Sequence, residues 1–155
     1  MLIKIGKHLF SNLRNKNNIL SFLLGFSLVF AYAPFSQWWL ALIIPALWFS
    51  IIDKNSVKSA TKQGFLFGLG WFSSGISWVH VSIDQFGGLP LAVSLLLMLI
   101  LCAYLALYPA IACHLSSRFA LNKELNLWLL PAFWLISEYL RSVFLTGFPW
   151  LSLGY

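Results

Sequence analysis

The chain has 155 residues, of which 60% are hydrophobic and only 9% are charged, and its formal net charge at pH 7 is +6. Soluble domains average roughly 45–50% apolar and about 25% charged residues, and a chain of this length could not bury so much apolar surface. These figures exclude an ordinary water-soluble domain and indicate a protein that uses the hydrocarbon of a membrane as its solvent.

The N-terminal part predicts a basic arm over residues 1–18 and then a helical hairpin over residues 19–52. Two apolar runs meet at Pro34, which lacks an N–H and cannot continue a helix. The basic arm, the apolar run and the Ala31-Tyr32-Ala33 sequence also resemble a signal peptide. Because Pro34 would directly follow the cut, we expect an uncleaved first span instead.

Three further apolar stretches follow a polar loop over residues 53–63, and each is long enough to form a helix: residues 64–83, 91–115 and 125–145. The third to fifth spans thus fall within residues 64–145, and residues 146–155 form a final polar and aromatic segment. The predicted fold class is all-α: a polytopic membrane helix bundle of about five transmembrane helices.

The positions of the basic residues predict how this bundle is oriented. With five spans, every Lys and Arg except Arg141 lies in the arm or in the loops on the same side. Basic residues are enriched on the cytoplasmic side of membrane proteins. The sequence therefore predicts a cytoplasmic N-terminus and places residues 146–155 on the opposite, outer side of the membrane. It also disfavours nucleic-acid binding, since the charges form no single surface.

The third predicted span carries two stripes on opposite faces, if residues 64–84 form one continuous helix. One alternates glycine and tryptophan, and the other is polar: Gly64, Gly68, Trp71, Gly75 and Trp78 face away from Ser73, Ser77, His80 and Asp84. Small residues let a neighbouring helix approach closely, and polar residues need protein or water beside them. The pattern predicts a central helix whose polar stripe is either ordinary packing with an interfacial His/Asp pair or a lining for a lipid headgroup or ion.

The fifth predicted span ends with Glu138 and Arg141, which are three residues apart and close enough to pair on a helix. Such a pair is either structural or functional, because charges at membrane depth are costly and mark functional sites. Arginine presents a planar fork of donors suited to phosphate, and a phospholipid headgroup is the obvious ligand. Cys102 and Cys113 are interpreted as buried small hydrophobes. No motif predicts a metal or another cofactor.

Several of these motifs resemble the bacterial apolipoprotein N-acyltransferase family. The most specific is Glu138-x-x-Arg141 followed by Leu-Thr-Gly-Phe-Pro-Trp at residues 145–150 and Gly-Tyr at 154–155. Phe-Ala-Tyr-Ala-Pro-Phe at residues 30–35 and the Gly/Trp pattern leading to Gly-Gly-Leu-Pro at 87–90 are similar to its first hairpin and third span. The resemblance implies a reaction in which an acyl chain moves from a phospholipid to the N-terminal cysteine of a diacylated lipoprotein.

The family's Glu-Lys-Cys triad belongs to a nitrilase-like domain that follows further spans, and no residue of this sequence matches it. We therefore expect no acyltransferase activity from this stretch alone, which resembles the first third of such an enzyme. The resemblance implies a phospholipid donor, a diacylated lipoprotein acceptor and membrane lipids as partners. Five residues are candidates for positioning the lipid substrate: Glu138, Arg141, Trp150, Trp78 and His80.

The residues alone are also compatible with two other functions. A small transporter or channel subunit would use the polar stripe that contains His80 and Asp84. A membrane scaffold for a polyprenol-linked glycosyltransferase would need no chemistry of its own. The transporter is disfavoured because the sequence has no second charged span to relay ions and no inverted repeat.

Overall fold

A computed structural model of the chain describes residues 2–53, 56–120, 123–144, 147–148 and 150–153, and for residues 2–14 and 123–127 it describes the backbone alone. Within these residues all regular structure is helical, which confirms the all-α fold class. The helices follow in chain order: α1 (Leu2–Ser27), extended by a 3₁₀ turn (Leu28–Ala31), α2 (Leu40–Ile51), α3 (Val57–Gly75), α4 (Val79–Gly87), α5 (Leu91–Phe119) and α6 (Lys123–Val143).

Helix α3 is the central helix of the bundle, as its two-sided pattern predicts. It packs along α1 on one side and along α5 on the other, and these two interfaces are the most extensive in the bundle. Glycine permits this close approach: a Cβ atom built on Gly70 would lie 2.2 Å from the main-chain oxygen of Phe22 in α1. On the α5 side, a Cβ on Gly68 would lie 2.8 Å from the Cα of Ala106.

An aromatic cluster fills the interior where α2, α3 and α6 meet. Trp48 of α2 stacks on Phe67 of α3 with ring centroids 4.0 Å apart, and Trp71 stacks on Trp134 of α6 at 5.8 Å. All four side chains are buried. These rings lock the three helices together and determine where the last turn of α6 lies relative to the end of α3.

The third predicted span differs from the structure, because it is not one continuous helix. Helix α3 ends at Gly75, residues 76–78 form a turn, and α4 starts at Val79. The single hydroxyl proton of Ser74 has three main-chain oxygens within reach, those of Gly70, Trp71 and Phe26. The hydroxyl of Ser77 donates to the main-chain oxygen of Ser74. Such local bonds compete with the helix ladder, and Gly75 has a low helix propensity. The predicted polar stripe is therefore divided between two helices.

One helix in the described part of the chain, α5 with 29 residues, is both long and apolar enough to cross a membrane. Helix α2 is apolar but has only 12 residues. Helix α1 continues N-terminally through the predicted basic arm. The five-span count and the orientation of the bundle remain predictions.

Candidate functional site

The charged pair predicted from the sequence lies in the last two turns of α6. A terminal nitrogen of Arg141 lies 3.3 Å from Oε1 of Glu138, and the two side chains are 2% and 16% exposed. A buried guanidinium requires partners for its other donors, because an unpaired charge away from water is very costly. Those partners decide what Arg141 does.

The partners of Arg141 come from the return segment, defined here as residues 147–153, in which Pro149 lies outside the described residues. Its Nη1 donates to the main-chain oxygens of Phe148 at 2.8 Å and of Trp150 at 2.6 Å. Its Nη2 donates to the hydroxyl of Ser152 at 3.1 Å. The fork of donors that the sequence suggests for a phosphate thus binds the chain itself and folds the return segment back onto the bundle.

Two aromatic rings of α3 lie beside the guanidinium. Its central carbon is 5.4 Å from the ring centroid of Phe72 and 6.0 Å from that of Trp71. A cation within about 6 Å of an aromatic face is attracted by the ring's quadrupole. Because Trp71 also stacks on Trp134, the charged pair lies directly against the end of the aromatic cluster.

The return segment requires glycine at its start. Gly147 has φ +76, in the left-handed region, and a Cβ atom built there would lie 2.1 Å from the main-chain oxygen of Ser142. Its N–H donates to Phe144 at 2.9 Å, and the N–H of Phe148 donates to Arg141 at 3.0 Å. These bonds satisfy carbonyls at the C-terminus of α6 and reverse the chain direction. The neighbouring motif residues Leu145, Thr146, Gly154 and Tyr155 lie outside the described residues.

Two half-exposed tryptophans meet where the return segment reaches the end of α3. The rings of Trp78 and Trp150 are 5.8 Å apart between centroids, and the side chains are 48% and 56% exposed. Trp78 lies in the turn between α3 and α4, so the break in the predicted third span is what brings it here. The pair forms an apolar surface with two indole N–H groups at the end of the bundle.

His80 lies two residues beyond Trp78, in the first turn of α4. Its Nδ1 contacts the main-chain oxygen of Ser77, which can only accept a hydrogen bond, so Nδ1 is the donor in this contact. Asp84 is one turn further along α4, and its main-chain oxygen accepts the N–H of Gly88 at the end of that helix. The structure thus brings four predicted residues, Glu138, Arg141, Trp150 and Trp78, into one connected group, with His80 beside it.

This arrangement belongs to a stretch that a known family shares. Residues 24–155 match the family model described as "Apolipoprotein N-acyltransferase N-terminal domain". The chain belongs to the apolipoprotein N-acyltransferase family. The match includes every candidate residue of the site and confirms the resemblance that the motifs indicate.

Individual apolipoprotein N-acyltransferases give the same result. The chain is 49% identical to that of Vibrio vulnificus over 144 residues, which are 92% of this chain and 28% of that protein. It is 48% identical to the Vibrio cholerae protein over 127 residues, 81% of this chain and 25% of that protein. It is 43% identical to the Haemophilus influenzae protein over 138 residues, 88% of this chain and 25% of that protein. The chain thus spans about a quarter of the length of these relatives.

The sequence prediction missed two contributors to this site. Ser152 binds Arg141, and Tyr32 donates its hydroxyl proton to the main-chain oxygen of Leu151 at 2.8 Å. The only signal for Tyr32 was its place in the Phe-Ala-Tyr-Ala-Pro-Phe motif, far from Leu151 in the sequence. Cys102 and Cys113 are free and buried in α5, as predicted for small hydrophobes. No group of three His, Cys, Asp or Glu side chains converges as metal ligands would among the described residues.

Proposed function

We propose that this chain is the membrane part of an enzyme that moves an acyl chain from a phospholipid to the N-terminal cysteine of a diacylated lipoprotein. The family match over residues 24–155 and relatives named apolipoprotein N-acyltransferase support the proposal. In such enzymes the nucleophile belongs to a nitrilase-like domain. The residues of this chain therefore bind and position lipid and do not react with it.

The proposal includes a topology. Five passes through a bacterial inner membrane, with a cytoplasmic N-terminus, put the end of α6 and residues 146–155 in the periplasm. The distribution of Lys and Arg supports this orientation. Alkaline phosphatase fused after Tyr155 is expected to be active in the periplasm. A fusion that is active only as a cytoplasmic reporter would contradict the topology and with it the location of the site.

The observation that carries the proposal is the contrast between a buried charged pair and an exposed tryptophan pair at the same end of the bundle. Glu138 and Arg141 are largely withdrawn from solvent and hold the return segment, whereas Trp150 and Trp78 present their rings outward. Tryptophan favours the membrane interface, where its ring is apolar and its N–H reaches polar groups. With the proposed topology, this pair would meet the ester region of a phospholipid at the end of the bundle.

In this arrangement each candidate residue has a distinct role. Trp78 and Trp150 pack against the upper acyl chain and the ester region, and the ring of His80 forms a hydrogen bond with the headgroup. Arg141 and Glu138 keep Trp150 at its position through the return segment. Holding an ester at a defined position removes part of the entropic barrier to its later attack, which is the proximity contribution to catalysis.

The proposed function is tested in a chimaera in which this chain replaces the matching N-terminal portion of the Vibrio vulnificus relative. The unmodified chimaera is expected to transfer acyl chains from phospholipid vesicles to a diacylated lipopeptide. Arg141→Ala is expected to lower kcat/KM by about 10²-fold, as is typical when a substrate is misplaced by an ångström or so.

The matched control is Arg118→Ala, which removes an exposed arginine in the last turn of α5, away from the site. It is expected to leave kcat/KM unchanged. Equal kinetics in the chimaera and its Arg141→Ala variant would remove Arg141 from the site, and an unmodified chimaera without transfer activity would contradict the proposed function.

A further inference from the structure

Leu151 in the return segment has an unusual backbone conformation. Its φ is +61, in the left-handed region, where a residue with a Cβ atom is disfavoured. Such a conformation persists only where surrounding contacts over-determine it. The contacts around Leu151 therefore show what the fold must hold in place.

Two side chains bind the two peptide groups that flank the Cα of Leu151. Arg141 donates to the main-chain oxygen of Trp150, which belongs to the preceding peptide, at 2.6 Å. Tyr32 donates to the main-chain oxygen of Leu151, which belongs to the following peptide, at 2.8 Å. The orientations of these two peptide planes define φ and ψ of Leu151, so Arg141 and Tyr32 hold this conformation together.

Tyr32 is itself held at a defined position. It follows the 3₁₀ turn after α1, and its ring stacks on Trp71 of α3 with centroids 6.4 Å apart and an interplanar angle of 25°. The side chain of Leu151 packs against Gly75 of α3. A Cβ atom built on Gly75 would lie 2.3 Å from Cδ1 of Leu151. The first hairpin, the end of α3 and the end of α6 therefore all meet at Leu151.

We propose that Tyr32 is a positioning residue for the tryptophan pair: its hydroxyl holds the Leu151 peptide and thereby the place of Trp150 beside Trp78. This inference rests on the proposed function, because the pair is the surface assigned to the phospholipid. Without the hydroxyl, Leu151 returns to an extended or right-handed conformation. The peptide between Leu151 and Ser152 is then no longer held, and the relaxation of the Leu151 backbone moves the indole of Trp150 away from Trp78.

The first experiment is ¹⁹F NMR of the chain in lipid nanodiscs, with every tryptophan replaced biosynthetically by 5-fluorotryptophan. The resonances of Trp78, Trp150, Trp48 and Trp134 are assigned by replacing each of these tryptophans in turn with phenylalanine. Tyr32→Phe, which keeps the ring on Trp71 and removes only the hydroxyl, is expected to shift or broaden the resonances of Trp150 and Trp78. The resonances of Trp48 and Trp134 in the aromatic cluster are expected to stay in place.

The matched control is Tyr139→Phe, which removes the hydroxyl of a tyrosine that is 68% exposed on α6. It is expected to leave all the resonances unchanged. The inference is overturned if Tyr32→Phe leaves the Trp150 resonance in place. It is also overturned if all tryptophan resonances move together, because Tyr32 would then support the whole bundle and not this segment.

The second experiment measures acyl transfer by the chimaera with the Vibrio vulnificus relative. Tyr32→Phe is expected to raise KM for the phospholipid about fivefold with kcat within twofold, since it disturbs binding that is equal in the ground and transition states. Unchanged KM with a shifted Trp150 resonance overturns the positioning role. An unmodified chimaera that is inactive contradicts the proposed function, while the NMR result still decides whether Tyr32 holds Trp150.

Discussion

The return segment and the aromatic cluster lie next to each other but are held by different kinds of interaction. In the return segment, the main-chain oxygens of Phe148, Trp150 and Leu151 all accept hydrogen bonds from side chains of the bundle. In the cluster, the indole N–H groups of Trp48 and Trp134 are buried and have no acceptor among the residues that the structure describes. Polar partners determine one region and ring packing determines the other.

This difference predicts which of the two regions tolerates amino-acid substitutions better. Packed apolar rings accept substitutions that conserve volume, because dispersion and burial depend weakly on direction. Hydrogen bonds to a buried guanidinium are directional, and losing one partner leaves the others unsatisfied. We therefore expect the polar region to be the more sensitive one.

The largest effect on stability is expected from Arg141→Met, which keeps much of the side-chain volume and removes every donor. Glu138 and two main-chain oxygens then lose their partner. Breaking a buried pair from one side costs about 3–5 kcal/mol. Unfolding in mixed detergent micelles measures the change, and Arg141→Met combined with Glu138→Gln is expected to recover part of it, because the stranded charge is gone. Full additivity of the two variants would contradict the pairing.

The next largest effect is expected where the helices themselves approach closely. Gly70→Ala places a Cβ atom 2.2 Å from the Phe22 oxygen and forces α1 away from α3. Overpacking of this kind costs about 1–3 kcal/mol. The control is Gly87→Ala in α4, where the nearest atom, Cγ2 of Ile83, is 3.9 Å from the new Cβ. Thermal unfolding in detergent should separate the two, and equal melting temperatures would show that the interface can open at no cost.

A smaller effect is expected in the aromatic cluster. Trp134→Phe loses some buried area but also removes an indole N–H for which the described part of the chain offers no acceptor, so the two changes oppose each other. We expect a loss of less than about 1.5 kcal/mol, the usual range for swaps that nearly conserve volume. A loss as large as that of Arg141→Met in the same unfolding assay would mean that the cluster is as specific as the return segment.

The smallest effect on stability is expected for the tryptophan pair. Trp78→Ala removes a half-exposed ring, and surface substitutions usually change stability by within about 0.5 kcal/mol. In the chimaera, the same variant is expected to raise the phospholipid KM, because the ring belongs to the proposed lipid surface. Trp128→Ala, at a position that is 80% exposed on α6, is the control for both measurements. Unchanged KM for Trp78→Ala would leave the pair without a role in binding.

The sequence by itself was enough to predict a membrane environment, the all-α fold class and the family. Composition decides how much apolar surface must be covered, periodicity decides which residues share a helix face, and both are local properties of the chain. The i, i+3 spacing of Glu138 and Arg141 was enough to predict their pairing for the same reason. The Gly/Trp pattern of the third span likewise predicted that α3 is central.

Only the tertiary structure decided what these residues contact. Helix α3 ends at Gly75, where serine hydroxyls bind main-chain oxygens of the preceding turn. Because the helix ends there, Trp78 lies in a turn and its ring contacts that of Trp150. Two of the partners of Arg141 are main-chain oxygens, which every residue has whatever its side chain. Tyr32 and Leu151 are 119 residues apart. Contacts of this kind depend on how three helices pack, and no local pattern in the sequence records that.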